Sequence, residues 1–457
     1  MSDLVERLKY MLGDDVVAAA EDIPKRSLAG YPLGSPRALV RPRSTADVAT
    51  ILKLCHAECQ PVVAWGGQSG LVHGTEAEGA IALSLARLDH IEEIDETGAT
   101  ASVEAGCVLQ TFCDAVDAKG LFFPLDLGAR GSATIGGNIA TNAGGNRVIR
   151  YGMMRELVLG IEVVLADGTI LSSLNHLIKN NAGYDLKQVF IGSEGTLGIV
   201  TRAVLRLRPK PATQNMALLA VDRFEHLPRI LRSLERGLGG ALSAFEVMWE
   251  DFYRLVTSAP AQGRAPLAYG HGYYVLVESL GGDPDGDAAR FERILSSELE
   301  RGDIADAAIM KSKAECDRLW GLRDDVLQVA RNAPIFTFDV SLKIADMEAY
   351  VSAVHAALQA RWPAATMMVF GHLGDGNLHV IPGVGDGSRP ARKAVEEIVY
   401  GTLKGGSVSA EHGIGLEKRD YLSWCRTPEE IALMRSLKHA LDPRGILNPG
   451  KIFSLSA

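Results

Sequence analysis

Residues 124–146, PLDLGARGSATIGGNIATNAGGN, are so rich in Gly, Ala, Ser, Thr and Asn that their side chains supply little core. What such a stretch offers is backbone. With no Cβ in the way, successive N–H groups can close on an anion, and a phosphate or pyrophosphate is the usual guest. Two shorter segments of the same kind lie nearby, GGQSG at 66–70 and GSEGTLG at 192–198. The strand PVVAW runs straight into the first of them, after a helix STADVATILKLCHAE that starts at Ser44 or Thr45. Helix, strand and glycine turn in that order form an α/β signature. No GxGxxG follows a strand, and the one GK pair, Gly450-Lys451, is followed by Ile452 and lacks the upstream Walker glycine. Neither a Rossmann site nor an ATPase is indicated; three glycine segments in one domain favour a long ligand with several polar stations.

A chain of 457 residues is too long for one ordinary core, so two or three packed units are expected. Pro209 and Pro211 mark a boundary, after which strand and helix alternate (MALLAVD, LPRILRSLERGL, YYVLVES, FERILSSELER) as in an α+β unit on an antiparallel sheet. The expected organisation is a ligand-binding domain over 1–210, a second domain over 211–420, and a C-terminal segment over 421–457. The helix PEEIALMRSLKHAL and the punctuated end DPRGILNPGKIF of that segment pack back on the first domain. A net charge of -9 argues against a nucleic-acid surface. The six cysteines, at 55, 59, 107, 113, 316 and 425, form no pair or cluster motif, so electrons leaving this chain need a separate acceptor. The N-terminal stretch MSDLVERLKYMLGDDVVAAAED lacks the basic start and apolar core of a secretion signal, and a cytoplasmic protein is expected, with loose attachment to a membrane surface left open.

Four blocks, VVAWGGQSGLVHGT, the 124–146 stretch, YGMMRELVLGIEVVLADG and NNAGYDLKQVFIGSEGTLGIVT, resemble in order and spacing the FAD domain of the vanillyl-alcohol oxidase type. Nearly the whole chain resembles the D-2-hydroxyglutarate, D-lactate and glycolate dehydrogenase subunits. The resemblance implies an α+β protein with a two-part FAD domain and a substrate-binding cap. It assigns FAD to Trp65, Gly66, Gly67, Gln68, Ser69 and Gly70 in the first loop. In the second block it assigns Gly131, Ser132, Gly136, Gly137, Asn138, Thr141, Asn142, Gly144 and Gly145, and in the third Glu194, Gly195, Gly198, Ile199 and Val200. Members that attach FAD covalently often carry a His where this chain has Gln68, so the flavin is expected to be non-covalent; His73 is an imperfect substitute.

MMVFGHLGDGNLHVIP places two strand-like runs around Asp375-Gly376, a dipeptide suited to a tight hairpin. Counting outward puts His372 opposite His379, at the cross-strand Cα spacing of about 4.5–5.5 Å, and two imidazoles could share a metal at about 2.0–2.1 Å. Glu411-His412 in SAEHGIG could add a carboxylate. Both segments resemble the metal site of the same dehydrogenase group, which implies His372, His379 and Glu411 as ligands and His412 as base. N/O ligation suits zinc, with manganese or iron open. The segment LWGLRDD resembles a pocket segment of that group, which makes Arg323 the cation for a substrate carboxylate.

This chain has Leu327, Thr337 and Ile381 where D-2-hydroxyglutarate members carry polar anchors, which favours a smaller acid such as lactate unless Arg264, Lys311, Lys313 or Lys343 supplies a replacement charge. The expected activity is oxidation of a small D-2-hydroxy acid, with a quinone, an electron-transfer flavoprotein or an iron-sulfur subunit as acceptor and a homodimer left open. An oxygen-using oxidase of the same fold, a flavin-free metal hydrolase and a non-catalytic FAD-holding subunit are the alternatives.

Overall fold

The computed structural model describes residues 3–454; the ends of the expected N-terminal helix segment and C-terminal tail, 1–2 and 455–457, lie outside the described residues. The chain divides into two units: Met1–Gly144, Gly152–Lys210 and Glu411–Ala457 form the first, and Gly145–Tyr151 with Pro211–Ala410 the second. The boundary after residue 210 coincides with the proline pair. The first unit resumes at Glu411, and the second unit includes Gly145–Tyr151, of which Gly145 and Asn146 end the glycine-rich region.

In the first unit the strands Ala38–Val40, Ile81–Ser84 and Val62–Trp65 form a small parallel sheet in that order. The helix Thr45–Ala57 leads into it and starts where the Ser44 hydroxyl accepts the Asp47 N–H at 3.1 Å, the Ncap arrangement that satisfies one orphan donor. A second sheet, antiparallel, runs Ile91–Asp95, Thr100–Glu104, Ile199–Arg206, Val158–Val164, Ile170–Ser173. Residues of both sheets and of the helices Thr45–Ala57, Leu109–Asp117 and Ile135–Thr141 share one apolar core. The long glycine-rich segment is anchored in that core by Leu125, Ile135, Ile139 and Ala143, more than its composition suggested, and this holds the glycine segments at fixed places on the rim.

The second unit is a seven-stranded sheet with every neighbouring pair antiparallel, in the order Asp306–Ile309, Thr213–Val221, Tyr273–Gly281, Leu242–Trp249, Thr366–Gly371, Asn377–Gly383, Phe338–Ser341. Its central strands are buried along nearly their whole length, so they read as continuous apolar runs without the alternation of a one-sided sheet. The strand Leu242–Trp249 escapes sequence reasoning because Glu246 interrupts its run. That glutamate, with Glu278 beside it in the sheet, carries buried charge into the interior.

Glu278 explains why Gly145–Tyr151 belongs to this unit. Its carboxylate is fully buried and accepts from Arg147 Nε at 2.9 Å, Gln214 Nε2 at 2.9 Å, Ser243 Oγ at 2.7 Å and Trp320 Nε1 at 3.1 Å. Burial pushes this carboxyl up, and Arg147 with the neutral donors overcomes that and holds it below the usual range. Arg150 donates to the carbonyls of Leu280, on the same strand as Glu278, and of Ala241, just before the strand Leu242–Trp249.

Candidate active site

The three glycine segments meet in the first unit around one groove. Of the residues assigned to FAD, Gly66, Gly67, Gln68, Ser69, Gly70, Gly136, Gly137, Asn138, Thr141, Glu194, Gly195, Gly198, Ile199 and Val200 line it, and so does His412. Among the described residues the N–H groups from Gly67 to Gly70 have no protein acceptor, and the buried Asn138 Nδ2 has no partner. A Cβ on Gly67 would stand 1.8 Å from the Ser132 carbonyl oxygen, so only glycine lets this loop lie so close to the second block. Unpaired amides and an orphan carboxamide on a glycine-lined groove fit a dinucleotide pyrophosphate and ring.

Six assigned residues do not line the groove. Trp65 is fully buried and donates its indole N–H to the Thr75 carbonyl, supporting the loop from below. Ser132 meets Gly67 through its backbone. Asn142 ends the helix Ile135–Thr141 in the left-handed conformation, and its Oδ1 accepts the Arg155 N–H, so its side chain serves the fold. Gly131 and Gly144 lie outside the lining, and Gly145 belongs to the second unit. His73 is also outside it; its ring sits 4.3 Å from that of Tyr31 and 3.7 Å from Glu417. Sequence reasoning missed Asn448, which lines the groove, accepts the Ala64 N–H and donates to the Glu194 carbonyl. Its only signal is an Asn inside the Pro/Gly punctuation of the tail.

In the second unit the expected tight hairpin is longer. A 3-10 turn at Leu373–Asp375 closes on Gly376 at φ 90°, and His379 pairs with Phe370 instead of His372. The two imidazoles still lie 5.5 Å apart at their centroids. Buried His372 donates from Nδ1 to Glu246 Oε1 at 2.7 Å, and Arg323 donates Nε to Glu246 Oε2 at 2.9 Å. Arg323 Nη2 stands 3.3 Å from His372 Nε2, and the guanidinium lies over the Phe370 ring. Burial pushes Glu246 up, and His372 with Arg323 more than reverse this, leaving its carboxyl below the usual range. Glu246, unforeseen in the sequence, is therefore the partner that fixes the tautomer of His372 and the direction of Arg323.

Across the adjacent strand pair His379 faces buried Asp339, and their ligand atoms lie within 4.8 Å of one another. Asp339 accepts from Asn377 Nδ2 at 2.8 Å and from the Ala410 N–H at 3.1 Å, and Glu411 is the residue bonded to Ala410. In the first unit Glu411 and His412 stand 3.6 Å apart. A separate set, Asp89, His90 and Glu104, is a surface turn in which Glu104 takes both the backbone N–H and Nδ1 of His90.

Of the positions tied to substrate size, two are on the surface and one is in the core. Leu327 and Thr337 are exposed, and Ile381 is packed in the core with Phe370. Lys311 and Lys313 are in surface ion pairs with Glu292 and Asp317, and Arg264 and Lys343 are exposed.

A model of the C-terminal domain of FAD-linked oxidases matches residues 210–452, and one of a FAD binding domain matches 36–173. D-2-hydroxyglutarate dehydrogenase of Bos taurus, a mitochondrial protein by name, is 42% identical over 434 residues, covering 93% of this chain and 78% of its own. The enzyme of that name from Xanthomonas citri pv. viticola is 40% identical, covering 92% and 89%. A putative mitochondrial D-lactate dehydrogenase of Schizosaccharomyces pombe is 35% identical, covering 92% and 82%. Among solved structures, p-cresol methylhydroxylase with substrate bound shares the fold at TM-score 0.80 and 16% identity, covering 99% and 97%. 4-Ethylphenol oxidase from Gulosibacter chungangensis does so at 0.74 and 19%, with the same coverage. The expectation of a cytoplasmic protein is corrected by these relatives, since those from cattle, Arabidopsis thaliana, rat and zebrafish all carry the word mitochondrial. No helix among the described residues is long and apolar enough to cross a membrane. With both domain models matched in order along a chain whose glycine segments converge on one groove, this protein belongs to the FAD-linked oxidase and dehydrogenase family and is a FAD-dependent oxidoreductase of the vanillyl-alcohol oxidase fold.

Proposed function

We propose that this chain oxidises a small D-2-hydroxy acid, D-2-hydroxyglutarate-like or D-lactate-like, to the 2-oxo acid, with non-covalent FAD and a divalent metal, zinc by preference. The observation that carries the reading is the buried Glu246–His372 pair with His379 beside it. A carboxylate that accepts one imidazole nitrogen fixes the ring, as in carboxylate–histidine–metal sites, and Nε2, which faces Arg323 Nη2 at 3.3 Å, would exchange that contact for the metal. His372, His379 and Glu411 are the ligands in this reading, with Asp339 a further donor beside His379. A divalent cation there supplies Lewis acidity that lowers the pKa of a bound hydroxyl. FAD supplies the redox chemistry.

The chain's own groups do the rest. His412, on the groove lining, takes the hydroxyl proton. Arg323, held in direction by Glu246, is the cation for the substrate carboxylate. Electrons leave to a separate acceptor, a quinone, an electron-transfer flavoprotein or an iron-sulfur subunit, because the six cysteines are scattered and unpaired.

An anaerobic screen of D-2-hydroxy acids against the purified flavoprotein, read at the flavin band, tests the reading. Bleaching by a D acid and not its L isomer is expected, and treatment with chelator is expected to abolish it. Full bleaching in a sample shown to be metal-free would remove the metal from the mechanism. No bleaching with any D-2-hydroxy acid would remove the substrate class, and stoichiometric hydrogen peroxide in air would make the protein an oxidase.

A further inference from the structure

One residue ties the third glycine segment to the second and, through Asn448, to the strand that leads into the first. Glu194, at φ 53° in the third, donates its N–H to the Ala140 carbonyl of the second at 2.7 Å. Its own carbonyl accepts from Asn448 Nδ2 at 2.6 Å, while Asn448 Oδ1 accepts the N–H of Ala64, two residues before the first loop. The carboxylate is taken up within the protein. Its two oxygens accept the N–H groups of Ile414 and Gly415 at 2.7 and 2.8 Å, in the turn that begins with His412. That turn has no room to relax. A Cβ at Gly413 would stand 2.9 Å from Glu194 Oε1, and one at Gly415, at φ 53°, 2.0 Å from the Val72 carbonyl oxygen.

We propose that Glu194 is a positioning residue: its carboxylate locks the His412 turn to the FAD cradle, so that one buried network sets the place of the cofactor and of the proton acceptor together. The inference rests on the reading of His412 given above. It replaces a direct cofactor contact for this side chain with a mechanical one. The physical ground is that a carboxylate holding two backbone donors is a stronger and more directional tie than packing, and here it adds to the backbone bonds from Leu416 to Val72 and from Ile452 to Gly415 that hold the far side of the turn.

The test is hydrogen–deuterium exchange of the full chain, FAD-free and FAD-loaded, for the wild type, Glu194→Gln and Glu194→Asp. In Glu194→Gln the introduced amide would meet one of the two N–H groups donor to donor, and in Glu194→Asp the shortened carboxylate falls a methylene short of both. In either variant exchange across residues 411–416 is expected to quicken by about tenfold or more, in both states. Flavin reduction by substrate is expected to slow by about tenfold at little-changed KM, while reduction by dithionite keeps its wild-type rate. Wild-type exchange in a folded Glu194→Gln and Glu194→Asp pair would overturn the lock. His412→Ala separates the two readings: wild-type exchange of Ile414 and Gly415 with substrate reduction lost supports both, whereas unchanged substrate reduction would overturn the role of His412 and leave the lock standing.

Discussion

Gly67 and Asn138 show how single residues on the groove trade stability for binding. With the Ser132 carbonyl 1.8 Å from the place of a Cβ, Gly67→Ala must push the loop or the second block aside. Overpacking of that kind costs about 1–3 kcal/mol, so FAD affinity is expected to fall roughly 5- to 150-fold in a fluorescence titration. Asn138 should behave differently. Its buried Nδ2 has no partner in the protein, a state that costs about 1–3 kcal/mol, so Asn138→Ala is expected to leave the melting temperature of the FAD-free protein level or raised while weakening FAD binding. A variant that lost stability and affinity together would argue that this carboxamide serves the fold alone. His379→Ala is expected to remove most bound metal from protein purified with zinc, as read by elemental analysis; metal content equal to the wild type would strike His379 from the ligand set.

At the scale of elements, the segment Gly145–Tyr151 and the strand Tyr273–Gly281 are joined by the Arg147–Glu278 pair. Removing one partner of a buried pair leaves the other charge stranded, and Glu278→Gln is expected to destabilise the protein by about 3–5 kcal/mol at neutral pH. The pH dependence follows from the lowered folded-state pKa of Glu278. Its stabilisation is fully present above the unfolded value of about 4.3 and is lost as pH falls through the lower folded value. The gap in melting temperature between wild type and Glu278→Gln should therefore close as pH drops below about 4; a gap that widened would contradict the assigned direction. Elements of this unit differ in how plainly they read. Tyr273–Gly281 opens with five apolar or aromatic residues before Glu278 and was foreseen, whereas Leu242–Trp249 has Glu246 at its centre and was hidden, since an acid inside a strand signals exposure unless its partners are known. The hairpin around Asp375-Gly376 was foreseen as a hairpin, but its 3-10 turn moved the register by two residues, which periodicity does not encode.

For the whole molecule, cofactor and folding are linked because the groove exists only when three distant segments are assembled. FAD at a hundred times its Kd is expected to stabilise the chain by about 2.7 kcal/mol, measured as a shift in the denaturation midpoint, and an unshifted midpoint at saturating FAD would contradict binding to the folded groove. Sequence alone determined the presence of the amide-lined segments and the family, because glycine content and motif order are local properties of a chain. It also supplied the histidines and glutamates of the candidate site as residue types. Only the tertiary structure decided which of them meet. Glu246 beside His372, Asp339 opposite His379 and Asn448 between Ala64 and Glu194 join residues up to 384 positions apart, and so do the bonds from Glu194 to Ile414 and Gly415. The reason is physical: a side chain's role depends on which donors and charges burial brings against it, and that is fixed by sheet register and chain reversal and not by spacing along the sequence.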